Sequence, residues 1–60
     1  SNTNESITFQ IIKALQEEAL SSRQLLQHLK CSEHILLKSL SELIEINKIK
    51  LTHANTYTLV

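Results

Sequence analysis

A chain of 60 residues that contains no glycine and no proline has few ways to turn. Glycine enters the left-handed region without steric cost and proline fixes φ, so turning here falls to asparagine and to serine caps. Beyond the first few residues the only asparagines are Asn47 and Asn55, and each stands where the apolar pattern changes. Asn47 ends a stretch of helical spacing and is expected to stop a helix in the left-handed conformation. Asn55 separates two short alternating runs and is expected to turn a hairpin.

The stretch Cys31 to Ile49, CSEHILLKSLSELIEINKI, organises the chain. Ser32 is placed to cap a helix, with Cys31 and Leu36 as the flanking apolar staple. At about 100° per residue, Ile35, Ile46, Leu43, Leu36, Leu40, Ile44 and Leu37 cover a little over half the circumference of that helix. Ser41, His34, Glu45, Lys38 and Glu42 form the wet strip opposite. A core stripe needs only about 100° or somewhat more. Ile35 and Ile46, at the edge of the arc, are therefore surplus: either helix 1 and the hairpin cover them, or they are a protein interface.

Upstream, Ile7, Ile11, Ile12, Leu15 and Ala19 share one side of a first helix over 7–19, with Asn4 or Ser6 as its cap. Leu20-Ser21-Ser22-Arg23-Gln24-Leu25 then carries a capping box, Ser21 with Gln24, inside a Leu20–Leu25 staple. It opens a second helix running to about Lys30, with Leu25, Leu26 and Leu29 inward and Arg23, Gln24, Gln27 and His28 outward. Only Lys30 and Cys31 separate it from the Ser32 cap, which is the short turn of a helix-turn-helix.

After Asn47, Lys48 to Thr52 alternates, as does Tyr57 to Leu59, giving two strands. A three-residue loop, His53-Ala54-Asn55, pairs Leu51 with Tyr57 and Ile49 with Leu59 and keeps the apolar side chains on one face. The fold class is therefore α+β, three helices and a C-terminal two-stranded hairpin, filling residues 6–60. Residues 1–5 read as a lead-in or cloning remnant. A domain this small buries only ~60% of the surface its unfolded chain exposes, and with one Tyr and one Phe its core must be built from Leu and Ile with little help from Tyr57 and Phe9.

Three helices, a tight turn between the second and third, and a closing hairpin wing make the winged helix-turn-helix arrangement. The residues that carry it are Leu20-Ser21, Leu29-Lys30-Cys31-Ser32, Leu36, Leu40 and Leu43, Asn47-Lys48-Ile49 and Tyr57-Thr58-Leu59. In compactness and in its ending the chain resembles the C-terminal domain of the DprA (Smf) family of bacterial DNA-processing proteins. That resemblance implies an auxiliary domain of a protein that handles incoming single-stranded DNA in natural transformation. Lys30, Asn47 and Asn55 stand where such domains usually carry glycine. The chain is also broadly similar to Z-DNA-binding winged helices, but lacks the helix-3 Tyr and the wing Pro and Trp that those use.

Chemistry is sparse. His28, Cys31 and His34 have the spacing of three zinc ligands, but Cys31 is expected to be buried in the staple, His28 points outward, and only Glu33 could be a fourth ligand. No base-orienting group accompanies Cys31 and His34, the Glu17-Glu18 and Glu42-Glu45 pairs read as helix-surface carboxylates, and there is no Gly-rich phosphate loop. The expectation is no enzyme, no metal, no cofactor and no small-molecule substrate. A single cysteine fits a reducing cytoplasm, and no transmembrane run or signal peptide is legible.

Two kinds of partner remain. For DNA, Ser32, His34, Lys38 and Ser41 would lie near bases, with Arg23, Lys30, Lys48 and Lys50 on phosphates. The formal net charge of zero and the two carboxylates on the same strip make that contact weak. For protein, Ile35 and Ile46 would dock a second copy, giving a homodimer, or another domain of the parent chain. A DNA-binding domain of a transcription regulator is a further alternative.

Overall fold

The computed structural model describes residues 6–60. The lead-in at 1–5, and Asn4 as an alternative cap, lie outside the described residues. The order is α1 (Ile7–Glu17), α2 (Ser22–His28), α3 (Glu33–Glu45), β1 (Ile49–Leu51) and β2 (Tyr57–Leu59), an α+β domain closed by an antiparallel hairpin.

Every helix begins on a serine. Ser6 Oγ accepts from the Phe9 N–H and Ser32 Oγ from the Ile35 N–H, each at 3.2 Å. At Ser21 both halves of the capping box are made: the Gln24 N–H donates to Ser21 Oγ at 3.1 Å, and the Ser21 N–H donates to Gln24 Oε1 at 2.8 Å. That cap matters most for α2, whose 7 residues are too few to hold a helix in water by themselves. Burial of Leu25 and Leu29 supplies the rest.

α1 stops at Glu17, two residues before the apolar pattern does, and Ala19 is exposed. Two carboxylates, Glu17 and Glu18, sit at the negative end of the helix dipole, with no basic residue in the last turn. Glu18 is extended, and the segment continues straight so that Leu20 can pair with Tyr57. The Leu20 N–H donates to the Tyr57 carbonyl at 3.1 Å and the Tyr57 N–H to the Leu20 carbonyl at 2.7 Å. α2 likewise ends at His28 rather than Lys30, its capping residue Leu29 being extended and buried.

α3 ends as Asn47 requires. Asn47 has φ 61°, its N–H donates to the Ile44 carbonyl at 3.0 Å, and the Lys48 N–H donates to the Leu43 carbonyl at 2.9 Å. These are the two bonds of a Schellman cap, with asparagine in the usual glycine position. In the hairpin, Ile49 faces Leu59 and Leu51 faces Tyr57, and Asn55 also has φ 61°. Thr52 and Thr56 close the loop: Thr52 N–H donates to the Thr56 carbonyl at 2.8 Å, and their hydroxyl oxygens lie 2.8 Å apart.

The core is aliphatic: Ile11, Leu15, Leu20, Leu25, Leu29, Leu36, Leu40, Leu43 and Ile49, with Tyr57 and Leu59 half-buried at its edge. Phe9 does not join it. The ring is about half exposed on α1, with Lys13 Nζ 5.6 Å from its centroid. Leu51 is 54% exposed; the register puts it on the face of Ile49, but the strand outruns the core, so only Ile49 is covered. Among the described residues no helix is long and apolar enough to cross a membrane.

The left-handed cap sets the boundary between α3 and the hairpin, so it should be measurable. Asn47→Ala should lower the unfolding free energy by about 1 kcal/mol, because a β-carbon without a locally bonding side chain is forced to positive φ. Asn47→Gly should match or exceed the parent in urea unfolding. An alanine variant as stable as the parent would show that this cap does not form.

Candidate nucleic-acid interface

All eight residues expected to meet DNA, Arg23, Lys30, Ser32, His34, Lys38, Ser41, Lys48 and Lys50, are exposed. They do not form one surface of one sign. His34, Lys38 and Ser41 share the outer face of α3 with Glu42 and Glu45, so one lysine stands against two carboxylates there. Ser32 already uses an acceptor on the α3 cap. Arg23 lines a shallow groove between α2 and α3, about 460 Å³, whose other wall carries Glu33, Leu36 and Leu37. Its guanidinium thus shares that groove with a carboxylate.

Lys48 and Lys50 are placed differently. Ile49 between them is 2% exposed; Lys50 alternates with it along β1, Lys48 immediately precedes the strand, and both are exposed. No carboxylate side chain lies between Asn47 and Val60 in sequence. This arm is the most uniformly basic element of the fold.

The outer face of α3 is more apolar than a wet strip should be. Ile35 is 41% and Ile46 59% exposed, so neither α1 nor the hairpin covers them. Leu37 at 45% and Ile44 at 40% are exposed as well, although the apolar arc counts them among the dry positions. The buried stripe narrows to Leu36, Ser39, Leu40 and Leu43. Two short helices and a hairpin offer too little material to cover more. Ser39 reads as polar in the sequence, yet helical spacing sets it between Leu36 and Leu43 on the covered side.

Cys31 is half-buried and free, packed against the core from the α2–α3 turn, rather than enclosed in it. Among the described residues no group of three or more His, Cys, Asp or Glu side chains is placed to hold a metal ion. Compared with protein-family models, curated proteins and solved structures, the chain matches none. The functional reading therefore rests on its own residues.

Because the thiol is only partly covered, Cys31→Ser should cost about 1 kcal/mol, the lower end of what an unsatisfied buried hydroxyl costs. Zinc should leave the melting temperature of the parent unchanged. A rise of several degrees on adding zinc, abolished in Cys31→Ser, would instead establish a metal site at His28, Cys31 and His34.

Proposed function

We propose that this chain is a winged helix-turn-helix module without catalysis of its own, an auxiliary domain of a DNA-handling protein of the kind the DprA resemblance implies. In this reading it touches nucleic acid weakly and through the backbone, with the hairpin as the wing. The observation that carries it is the pair Lys48 and Lys50, both exposed on either side of buried Ile49. Lys48 just before β1 and Lys50 within it flank the one covered aliphatic of that strand, and cations held so close together suit phosphates rather than base edges. Lys30, exposed in the α2–α3 turn, and Arg23 add to them at lower weight, since Arg23 shares its groove with Glu33.

Base readout by α3 has less support. A recognition helix presents donors and acceptors to a groove; this one presents Glu42, Glu45 and four exposed aliphatics beside His34, Lys38 and Ser41. Those carboxylates would be repelled by phosphate, and sequence-specific regulation through α3 is correspondingly disfavoured. Protein association is the second reading, and the exposed aliphatics favour it.

With three or four phosphates neutralised, log affinity should fall against log salt with a slope of about −3 on duplex DNA and about −2 to −3 on single strands. Changing Lys48 and Lys50 together to Ala should reduce that slope by nearly two units without altering sequence preference. Fluorescence anisotropy at several salt concentrations reads both. Absence of binding at low salt, or a slope untouched by the lysine changes, would remove nucleic acid as the partner.

A further inference from the structure

We infer that the exposed face of α3 is a self-association surface, on which a second copy of this chain docks its own α3 antiparallel to the first. This goes beyond the proposed DNA contact and uses a different part of the surface. It starts from two large aliphatics left exposed on the flank of α3 that faces α1, Ile35 and, at the C-cap, Ile46. Such residues scattered singly need no explanation, but these two share one flank of the helix, where Ile7 of α1 is half-buried across a groove from Ile35.

What identifies the occupant is the order of residues along the helix. A two-fold axis across an antiparallel helix pair exchanges positions equally far from the helix midpoint, here near Leu40. That operation sets Lys38 of one copy beside Glu42 of the second, and Glu42 beside the second copy's Lys38. It also sets Ile35 at one end of the face beside Ile46 at the other, about 16 Å along the axis at 1.5 Å per residue. Charges of opposite sign and aliphatics of matching size thus meet their complements under one operation. The arrangement is an isologous contact, in which the same patch serves both partners.

Neighbouring geometry leaves room for it. Ile35, Lys38, Ser39 and Glu42 form one side of a shallow groove whose other side is Ile7 and Thr8 of α1. An approaching helix would cover the aliphatic parts of these residues while the charged ends of Lys38 and Glu42 meet their partners at its rim. A contact made mainly by one helix per copy is smaller than the ~800 Å² per partner of a standard interface. The dimer is therefore concentration-dependent, with dissociation expected between about 10 µM and 1 mM.

The test uses the opposed charges. In sedimentation across that concentration range, the parent chain should pass from monomer to dimer. Lys38→Glu puts carboxylate against carboxylate twice per dimer, and Glu42→Lys puts ammonium against ammonium twice. Each variant alone should weaken association at least tenfold, with unchanged helicity by circular dichroism. An equimolar mixture of the two should recover dimer. In the mixed pair the carboxylate introduced by K38E meets the ammonium introduced by E42K, and the unaltered Glu42 of the first variant meets the unaltered Lys38 of the second. Ile35→Glu, at an exposed position, should stay folded and monomeric, and no mixture should rescue it. A parent that is monomeric throughout overturns the inference and leaves this face to another domain or to nucleic acid. Single variants that still dimerise, or a mixture that stays monomeric, exclude this antiparallel pairing.

Discussion

Two backbone hydrogen bonds between Leu20 and Tyr57 tie the middle of this chain to its end, and much of the structure depends on them. A two-stranded hairpin is marginal in water by itself. Here β2 gains a neighbour on each side: Tyr57 turns both backbone polar groups to Leu20, while Thr56 and Val60 bond toward the first strand. Leu20 must be extended to make the pair, which ends α1 at Glu17 and delivers Ser21 as the cap of α2. Its side chain is 3% exposed, so the same residue that pairs the backbone also fills the core between the helices and the hairpin. The constraint is local in space and distant in sequence.

From that closure follows the division of the surface. With α1 against both α3 and β2, and β1 against α3, the sides of the molecule are used up by its own packing. Among the surfaces that remain outward are the basic arm at Lys48 and Lys50 and the mixed face of α3. The first has charge with apolar surface only at Leu51 and Val60; the second has apolar surface with charge of both signs. Phosphate selects the first kind and a complementary protein surface the second. The net charge of zero thus hides an uneven surface, with two lysines and no carboxylate side chain on the hairpin and one lysine beside two carboxylates on the outer face of α3.

Much of the fold was legible because it is written in local side-chain chemistry. The serine caps at Ser6, Ser21 and Ser32 and the left-handed Asn47 and Asn55 follow from groups within a few residues of one another, and the pairing of Ile49 with Leu59 follows from the length of the loop between the strands. The Leu20–Tyr57 pair was not legible, since backbone bonds across the chain leave no mark on side-chain identity, and the early end of α1 followed it out of sight. Burial on α3 was half legible. Periodicity finds which residues share a side, but not how wide a stripe the neighbours can cover, so Leu37 and Ile44 read as core and stand exposed. Phe9 contributes as little to the core as its phase on α1, opposite Ile11, implies. For the candidate interface, exposure of the eight polar residues was legible from phase, but the groove that Arg23 shares with Glu33 joins two helices and was not.

That the two regions meet different partners is tested in one sample by amide chemical shifts of the labelled chain. On dilution from high concentration the shifts should move along α3, from Ile35 to Ile46, and little elsewhere. On adding a short DNA at low salt they should move at Lys48, Lys50 and Lys30, and little between Ile35 and Ile46. Two separate sets of residues are the result expected. Shifts from DNA that run along the length of α3, overlapping those from dilution, would contradict it and make α3 a groove-facing helix after all.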